Sequence, residues 1–91
     1  MELVFNKIEN EWVAEFEATS DFNLHLERKD TGSLVVSQSG VQGGAYSTAF
    51  VKGHYEGQAV IDYDFGALVY PKWIKVTSGS EVVNGIVTFA E

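Results

Sequence analysis

The chain has 91 residues, no cysteine, one proline, and 13 acidic residues against six basic ones, which gives a formal net charge of −7 at pH 7. This length predicts a single domain, and the absence of cysteine excludes disulfides and thiolate chemistry. The excess of negative charge disfavours contact with nucleic acid or with an anionic membrane, because both need clustered Lys and Arg.

The sequence predicts neither a secretory nor a membrane-spanning segment. Met1 is followed by Glu2, and no basic start leads into an apolar run. No apolar run approaches the roughly 20 residues that cross a bilayer. We therefore expect synthesis in the cytoplasm without a signal peptide.

The first half of the chain contains four candidate strands, of which residues 11–19 and 21–29 alternate clearly between apolar and polar side chains. The four segments are residues 3–8 (LVFNKI), 11–19 (EWVAEFEAT), 21–29 (DFNLHLERK) and 33–39 (SLVVSQS). Because successive side chains of a strand point to opposite faces, each segment predicts a β-strand with one apolar side. The connections at 9–10, 19–21 and 29–32 contain the Asn, Asp, Ser and Gly residues that are typical of turns.

The second half continues this pattern with more glycine. Strands are predicted at residues 60–66 (VIDYDFG), 72–76 (KWIKV) and 81–89 (EVVNGIVTF), and a short one within 45–51 (AYSTAFV). Pro71 lacks an N–H, so it is expected at the start of a strand or on an edge. Asn84-Gly85 is a hairpin signal, yet a turn there leaves very short strands. We favour one continuous strand with a bulge or a close backbone approach at Gly85.

These elements predict an all-β protein. Seven or eight short strands with turn signals every 8–12 residues or so are typical of a sandwich or a small barrel. We expect one antiparallel β-sandwich over residues 1–91, jelly-roll-like, or a small barrel. No repeat or linker divides the chain.

Residues 39–57 form the longest segment without a clear strand pattern. Gly40, Gly43 and Gly44 are expected to permit positive φ at a turn and a change of sheet. The alternative is a recognition loop that presents Tyr46, His54 and Tyr55. A phosphate cradle is disfavoured, because no helix follows and neither the dinucleotide spacing nor a P-loop Lys is present.

Residues that suggest chemistry are few. Asp62 and Asp64 lie on one face of a strand, as carboxylates that bind Ca²⁺ or hydrolyse glycosides can, but the same pattern is typical of a solvated strand face. His25 and His54 have no second His or Cys at metal-ligand spacing. We therefore expect no cofactor, no metal site and no enzymatic activity.

The aromatic residues include candidates for a binding surface. In the segment VYPKWIKVT, Ile74 and Val76 share one face with Tyr70, while Trp73 lies on the other face. Trp73 is therefore expected either to stack on a sugar or anchor an interface, or to be covered within a sandwich. Tyr46, His54, Tyr55 and Trp73 are the predicted interaction residues.

The segment YPKWIKVTSGSEVVNGIVTF (residues 70–89) follows a glycine-rich turn and an aromatic strand. From residue 60 to 91 this order resembles the small β-sandwich accessory proteins of tailed-phage virions, which decorate capsids or form the base of head fibres. The resemblance implies a virion protein that binds a capsid lattice as a trimer. It implies no catalytic residues.

We therefore expect a non-enzymatic structural or interaction protein that associates with itself, with a larger structural protein, or with both. The alternative is a carbohydrate- or other ligand-binding module that uses Trp73, Tyr46 or Tyr55 as a stacking platform. A hydrolase that uses Asp62 and Asp64 is the least favoured hypothesis.

Overall fold

The computed structural model describes residues 1–50, 57–66 and 69–90, and these ranges contain eight β-strands and no helix. The strands are β1 (Asn6–Ile8), β2 (Glu11–Ala18), β3 (Phe22–Arg28), β4 (Leu34–Ser39), β5 (Ser47–Phe50), β6 (Val60–Phe65), β7 (Lys72–Ser78) and β8 (Val82–Phe89). Within these ranges no helix is long and apolar enough to cross a membrane.

The strands form two antiparallel sheets. One sheet has the order β1-β2-β7-β4-β5 and the other has the order β6-β3-β8. Residues 1–3 extend the second sheet beside β8, where Glu2 pairs with Ile86 and the Leu3 amide donates to the Gly85 carbonyl at 2.9 Å. Strand β2 pairs with β7, β3 with β6 and β4 with β5, and the N-terminal segment pairs with β8. These are the strand pairs of a jelly roll. The predicted all-β sandwich is confirmed.

The core lies between the two sheets and follows the alternation of the sequence. On β3 the inward side chains of Phe22, Leu24 and Leu26 are buried, and on β7 those of Ile74 and Val76 are buried as well. The other members of this cluster are Phe16, Ala18, Leu34, Val36, Ile61, Phe65 and Val87. Each apolar stripe is buried by a second sheet, which is the covering that so short a chain needs.

Two connections have the conformations that turns require. Glu9 and Asn10 form the β1–β2 turn, and Glu9 has φ 57, a left-handed conformation in which hairpin turns normally place glycine or asparagine. Pro71 directly precedes β7, so its missing N–H removes no ladder bond within the sheet. Both positions agree with the sequence prediction.

Strand β8 runs through Asn84-Gly85 without a turn, as predicted. A Cβ at residue 85 would lie 2.9 Å from the Phe5 ring and 3.3 Å from a Leu26 methyl group, so glycine is required by close packing. The bulge lies elsewhere than expected. Glu27 pairs with Asn84 and Arg28 pairs with Val82, so Val83 is the extra residue.

The glycine-rich segment behaves differently from the prediction. Strands β4 and β5 are antiparallel neighbours in the same sheet, so the segment between them makes no change of sheet. Of its three glycines only Gly43 has positive φ, at 69°. The prediction was wrong on the change of sheet because the period of two identifies a strand but not its neighbours.

Candidate functional site

The outer face of the five-stranded sheet, called the large-sheet face below, combines charged, aromatic and apolar side chains. Strands β2 and β7 place Glu15 opposite Lys75 and Glu17 opposite Trp73. All four residues alternate with core residues, so they point away from the sandwich. Trp73 is half-buried on this face, so it lies on the side away from the core, which is one of the two alternatives that the sequence left open.

The segment between β4 and β5 folds back onto the large-sheet face. Ser39 Oγ donates to the Val41 carbonyl at 2.8 Å and accepts from the Val41 amide at 3.1 Å. The Gly44 amide donates to the same Val41 carbonyl at 3.0 Å. A Cβ at residue 44 would lie 3.0 Å from Ser39 Oγ, so this glycine lets the segment pack closely on β4.

Tyr46 lies across the large-sheet face at the end of this segment. Its hydroxyl donates to the Glu15 carboxylate on β2, and Lys75 Nζ on β7 lies 4.7 Å from the centre of its ring. Burial, and then the hydrogen bond to Glu15, raise the pKa of Tyr46 to about 12. Tyr46 therefore fastens the segment before β5 to strands β7 and β2, which are two and three positions away in the sheet.

A shallow cleft with both polar and apolar lining lies beside this contact. Its large apolar residues are Val4, Ile8 and Val13, and its polar residues are Asn6, Glu15 and Lys75. Val4 is 74% exposed and Ile8 is 56% exposed. The cleft adjoins β1, the three-residue strand at the edge of the sheet. Large apolar side chains that remain this exposed next to one another are typical of a surface that another molecule covers.

The outer face of the three-stranded sheet, called the small-sheet face below, carries a different arrangement. Asn23 and His25 on β3 lie opposite Asp64 and Asp62 on β6, and Glu27 lies opposite Val60. Asn23 Nδ2 donates to an oxygen of Asp62 at 2.6 Å and to an oxygen of Asp64 at 3.0 Å. Polar side chains therefore bond continuously along two neighbouring strands.

His25 is the centre of this network. Its Nδ1 lies 3.0 Å from an oxygen of Asp62, and its Nε2 lies 3.1 Å from an oxygen of Glu27. The same Glu27 oxygen accepts from Asn84 Nδ2 on β8 at 3.1 Å. The hydrogen bonds to Asp62 and Glu27 raise the pKa of His25 above its ordinary value of 6.5.

A third feature is a cleft of about 450 Å³ at one end of the sandwich. Its apolar floor is made of Phe22, Phe65 and Phe89. These rings already pack on one another, with Phe22 stacked on Phe65 at 4.9 Å between centres and Phe22 against Phe89 at 6.3 Å. The cleft offers an apolar floor, with Asp21 and Asp64 among its polar lining.

The structure brings two of the four predicted interaction residues together. Tyr46 and Trp73 belong to the large-sheet face, on the end of the loop segment and on β7. His54 and Tyr55 lie outside the described residues. Asp62 and Asp64 are exposed on a strand face, as expected for solvated carboxylates. Among residues 1–50, 57–66 and 69–90 no group of three or more His, Cys, Asp or Glu residues is arranged to hold a metal ion.

Sequence reasoning missed the apolar part of the large-sheet face. Val4 and Ile8 belong to a segment that predicted an ordinary strand, and nothing in its alternation indicated that this strand lies at an edge. For His25, sequence reasoning noted only that no second His or Cys lies at metal-ligand spacing, although Asp62 and Glu27 hold both of its ring nitrogens. The only available signal was the set of acids at alternate positions of two strands.

Comparison with known proteins finds no relative for this chain. No protein-family model matches it, and neither a curated protein nor a solved structure matches it. The physical character of the two faces is therefore the basis of the functional proposal.

Proposed function

We propose that the protein is a non-enzymatic assembly module that associates with copies of itself through the large-sheet face. The observation that carries this proposal is the cleft of Val4, Ile8 and Val13, in which Val4 is 74% and Ile8 is 56% exposed. Burial of such side chains releases about 1.5–3 kcal/mol each. A partner that covers the cleft would gain that free energy.

The neighbouring residues suit an interface. Trp73 lies on the same sheet face, and aromatic residues supply large contact area at low cost in side-chain entropy. Tyr46 donates to Glu15 and lies under Lys75, so this part of the surface is ordered before a partner arrives. Preorganisation of this kind improves affinity because less freedom is lost on binding.

The required area is attainable for a chain of this size. A standard specific interface covers about 800 Å² on each partner, and the whole chain exposes 5146 Å². Association would therefore cover roughly one sixth of the surface.

A more specific form of the proposal is a component of a phage virion. It is supported by the resemblance of residues 60–91 to capsid-associated accessory proteins, which implies a trimer and a larger structural protein as the second partner. The jelly roll is found in viral capsid proteins and also in lectins and cupins, so the fold alone does not choose among these functions.

Two substitutions in the cleft test the proposal. We expect Val4→Lys together with Ile8→Lys to raise the dissociation constant for self-association by about tenfold or more, because the apolar contact is lost and two charges would be buried. Sedimentation velocity over micromolar concentrations measures it. Both side chains are exposed in the single chain, so its thermal unfolding is expected to change little.

The control variant carries Val60→Lys and Val69→Lys. These valines are 57% and 76% exposed, which matches Ile8 and Val4, and the charge change is the same. Val60 lies on β6 in the other sheet. We expect this variant to associate like the unmodified protein. A monomer at all micromolar concentrations, or equal weakening by both variants, would contradict the proposal.

A second candidate function is the binding of a carbohydrate. It is favoured by Trp73, which keeps part of its ring exposed on the large-sheet face, although Tyr46 is already occupied by Glu15 and Lys75. Titration with a panel of glycans should then quench tryptophan fluorescence, and Trp73→Leu should abolish that quenching. A flat titration across the panel removes this candidate.

A further inference from the structure

The small-sheet face holds an arrangement that depends on one proton. His25 on β3 places one ring nitrogen 3.0 Å from Asp62 on β6 and the other 3.1 Å from Glu27. Glu27 also accepts from Asn84 on β8. The hydrogen-bonded series Asp62–His25–Glu27–Asn84 therefore crosses all three strands of the sheet.

The chemistry of the imidazole ring indicates its protonation state. A neutral imidazole has one N–H, so it can donate to only one of the two carboxylates and leaves an acceptor nitrogen against the other. The imidazolium has two N–H groups and donates to both. The geometry is satisfied in full only by the charged ring.

We propose that His25 is a proton-controlled connection between the strands of the three-stranded sheet, closed when the ring is protonated and opened when the proton leaves. Closed, it joins β6 to β3 and, through Glu27, to β8. When the connection is open, one carboxylate has lost its donor, and acidic side chains surround a neutral His25 ring. This inference concerns the opposite side of the sandwich from the proposed interface and does not depend on it.

The charges around His25 favour its protonated form. Asp62 and Asp64 face it from β6, and Glu27 lies two residues along β3. On β8 the facing residues are Asn84, Ile86 and Thr88, and Glu2 pairs with Ile86 from the N-terminal segment. The cation at the end of β3 is Arg28, whose buried guanidinium points between the sheets and donates to Ser78 Oγ of β7. Lys29 follows β3, and its Nζ lies 3.2 Å from a Glu81 oxygen. The Met1 ammonium donates to the Val87 carbonyl on β8 at 2.8 Å. The outward positions of β3, β6 and β8 carry no Lys or Arg side chain.

The direction of the pH dependence follows from the pKa values. The pKa of His25 is raised by its hydrogen bonds to Asp62 and Glu27, so its stabilising contribution is complete below the ordinary value of 6.5 and disappears as pH rises through the higher pKa of the folded state. The pKa values of Asp62 and Glu27 are lowered, first by Asn23 and Asn84 and then by His25. Their contribution is present above their ordinary values of 3.8 and 4.5 and disappears in acid. The network is therefore complete between about pH 4.5 and 6.5.

The test is a nuclear magnetic resonance titration of His25, followed by its ring proton and nitrogen signals in the whole protein. We expect a midpoint above 6.5 and, below it, the nitrogen shifts of an imidazolium. Asp62→Asn should lower the midpoint by about 0.5 or more in pH, because an amide keeps the size but not the charge. Asp64→Asn is the matched control, since Asp64 bonds to Asn23 and not to the ring.

A second measurement shows whether protonation of His25 stabilises the sheet or changes only the ring itself. We expect His25→Gln to lower the urea midpoint of unfolding in mild acid and to change it less at a pH well above the His25 midpoint. A His25 midpoint at or below 6.5 would overturn the proposal. Equal effects of Asp62→Asn and Asp64→Asn, or a cost of His25→Gln that does not depend on pH, would overturn it as well.

Discussion

The two outer faces of the sandwich have the same alternating pattern and different surroundings. On the large-sheet face the loop segment returns, Tyr46 bonds to Glu15 across two strands, and apolar side chains line a cleft. On the small-sheet face His25 and its acidic neighbours bond to one another and remain partly exposed to water. An alternating strand thus defines which side chains point outward. What covers them depends on the paths of loops and edges.

This difference assigns opposite roles to the faces. Val4 and Ile8 lose unfavourable contact with water when another molecule covers them. Carboxylates such as Asp62 and Asp64 would lose their hydration in the same event, at a cost that pairing seldom repays. We therefore place the proposed interface on the large-sheet face and leave the small-sheet face in solvent.

The largest expected effect concerns Arg28, which connects the two sheets. This residue ends β3 in the small sheet and is only 5% exposed. Its guanidinium donates to the Gly32 carbonyl at 3.0 Å and to Ser78 Oγ of β7, in the large sheet, at 3.2 Å. We expect Arg28→Met to lower the free energy of unfolding by about 3 kcal/mol or more, because several buried acceptors lose their donor. Urea unfolding measures this loss.

Lys29→Met is the matched control, with the same charge change one residue away. The Lys29 side chain is 64% exposed and pairs with Glu81 at 3.2 Å, a contact worth less than about 1 kcal/mol. Probes on both faces should report a single unfolding transition in the Arg28 variant. Similar losses in the two variants would mean that Arg28 does not connect the sheets.

A smaller effect concerns the fastening of the loop segment to the large-sheet face. We expect Tyr46→Phe to lower the free energy of unfolding by about 1 kcal/mol, because the hydrogen bond to Glu15 is lost while Lys75 can remain over the ring. The raised pKa of about 12 means that this contribution is complete below the ordinary value of 10.0 and disappears as pH rises through 12. Absorbance titration of the tyrosines should show a phenol that deprotonates near pH 12, and Tyr46→Phe should lack it.

Glu15→Gln provides the control for charge. The amide can still accept from the Tyr46 hydroxyl, so the stability should change less than in Tyr46→Phe, while the pKa of Tyr46 should fall below 12 because the negative neighbour is gone. If a phenol that deprotonates near pH 12 persists in Tyr46→Phe, another tyrosine is responsible. The contact across the large-sheet face has then been misassigned.

The sequence supported the fold well because the core is built from simple alternation. Phe22, Leu24 and Leu26 were predicted on one face of β3, and all three are buried. The same alternation places Arg28 on the apolar face, since it follows Leu26 by two residues. The sequence contained this signal. It did not identify the partners of the guanidinium, which are the Gly32 carbonyl of the β3–β4 connection and Ser78 Oγ.

The candidate site was predictable only in part. The alternation of Trp73 with Ile74 and Val76 left open whether its face is exposed or covered, and in the structure Trp73 lies half-buried on the outer face. The contact between Tyr46 and Glu15 joins residues 31 positions apart, and that between His25 and Asp62 joins residues 37 apart. Such pairs depend on strand order and register, which a period of two does not determine.

The central claim is that the large-sheet face, and not the small-sheet face, is the surface that assembles. Hydrogen–deuterium exchange of the unmodified protein at low and high concentration tests it most directly. We expect added protection at high concentration in residues 4–17 and 73–77, with residues 23–27 and 60–64 unchanged. Protection confined to the small-sheet residues, or exchange that does not depend on concentration, would contradict the claim.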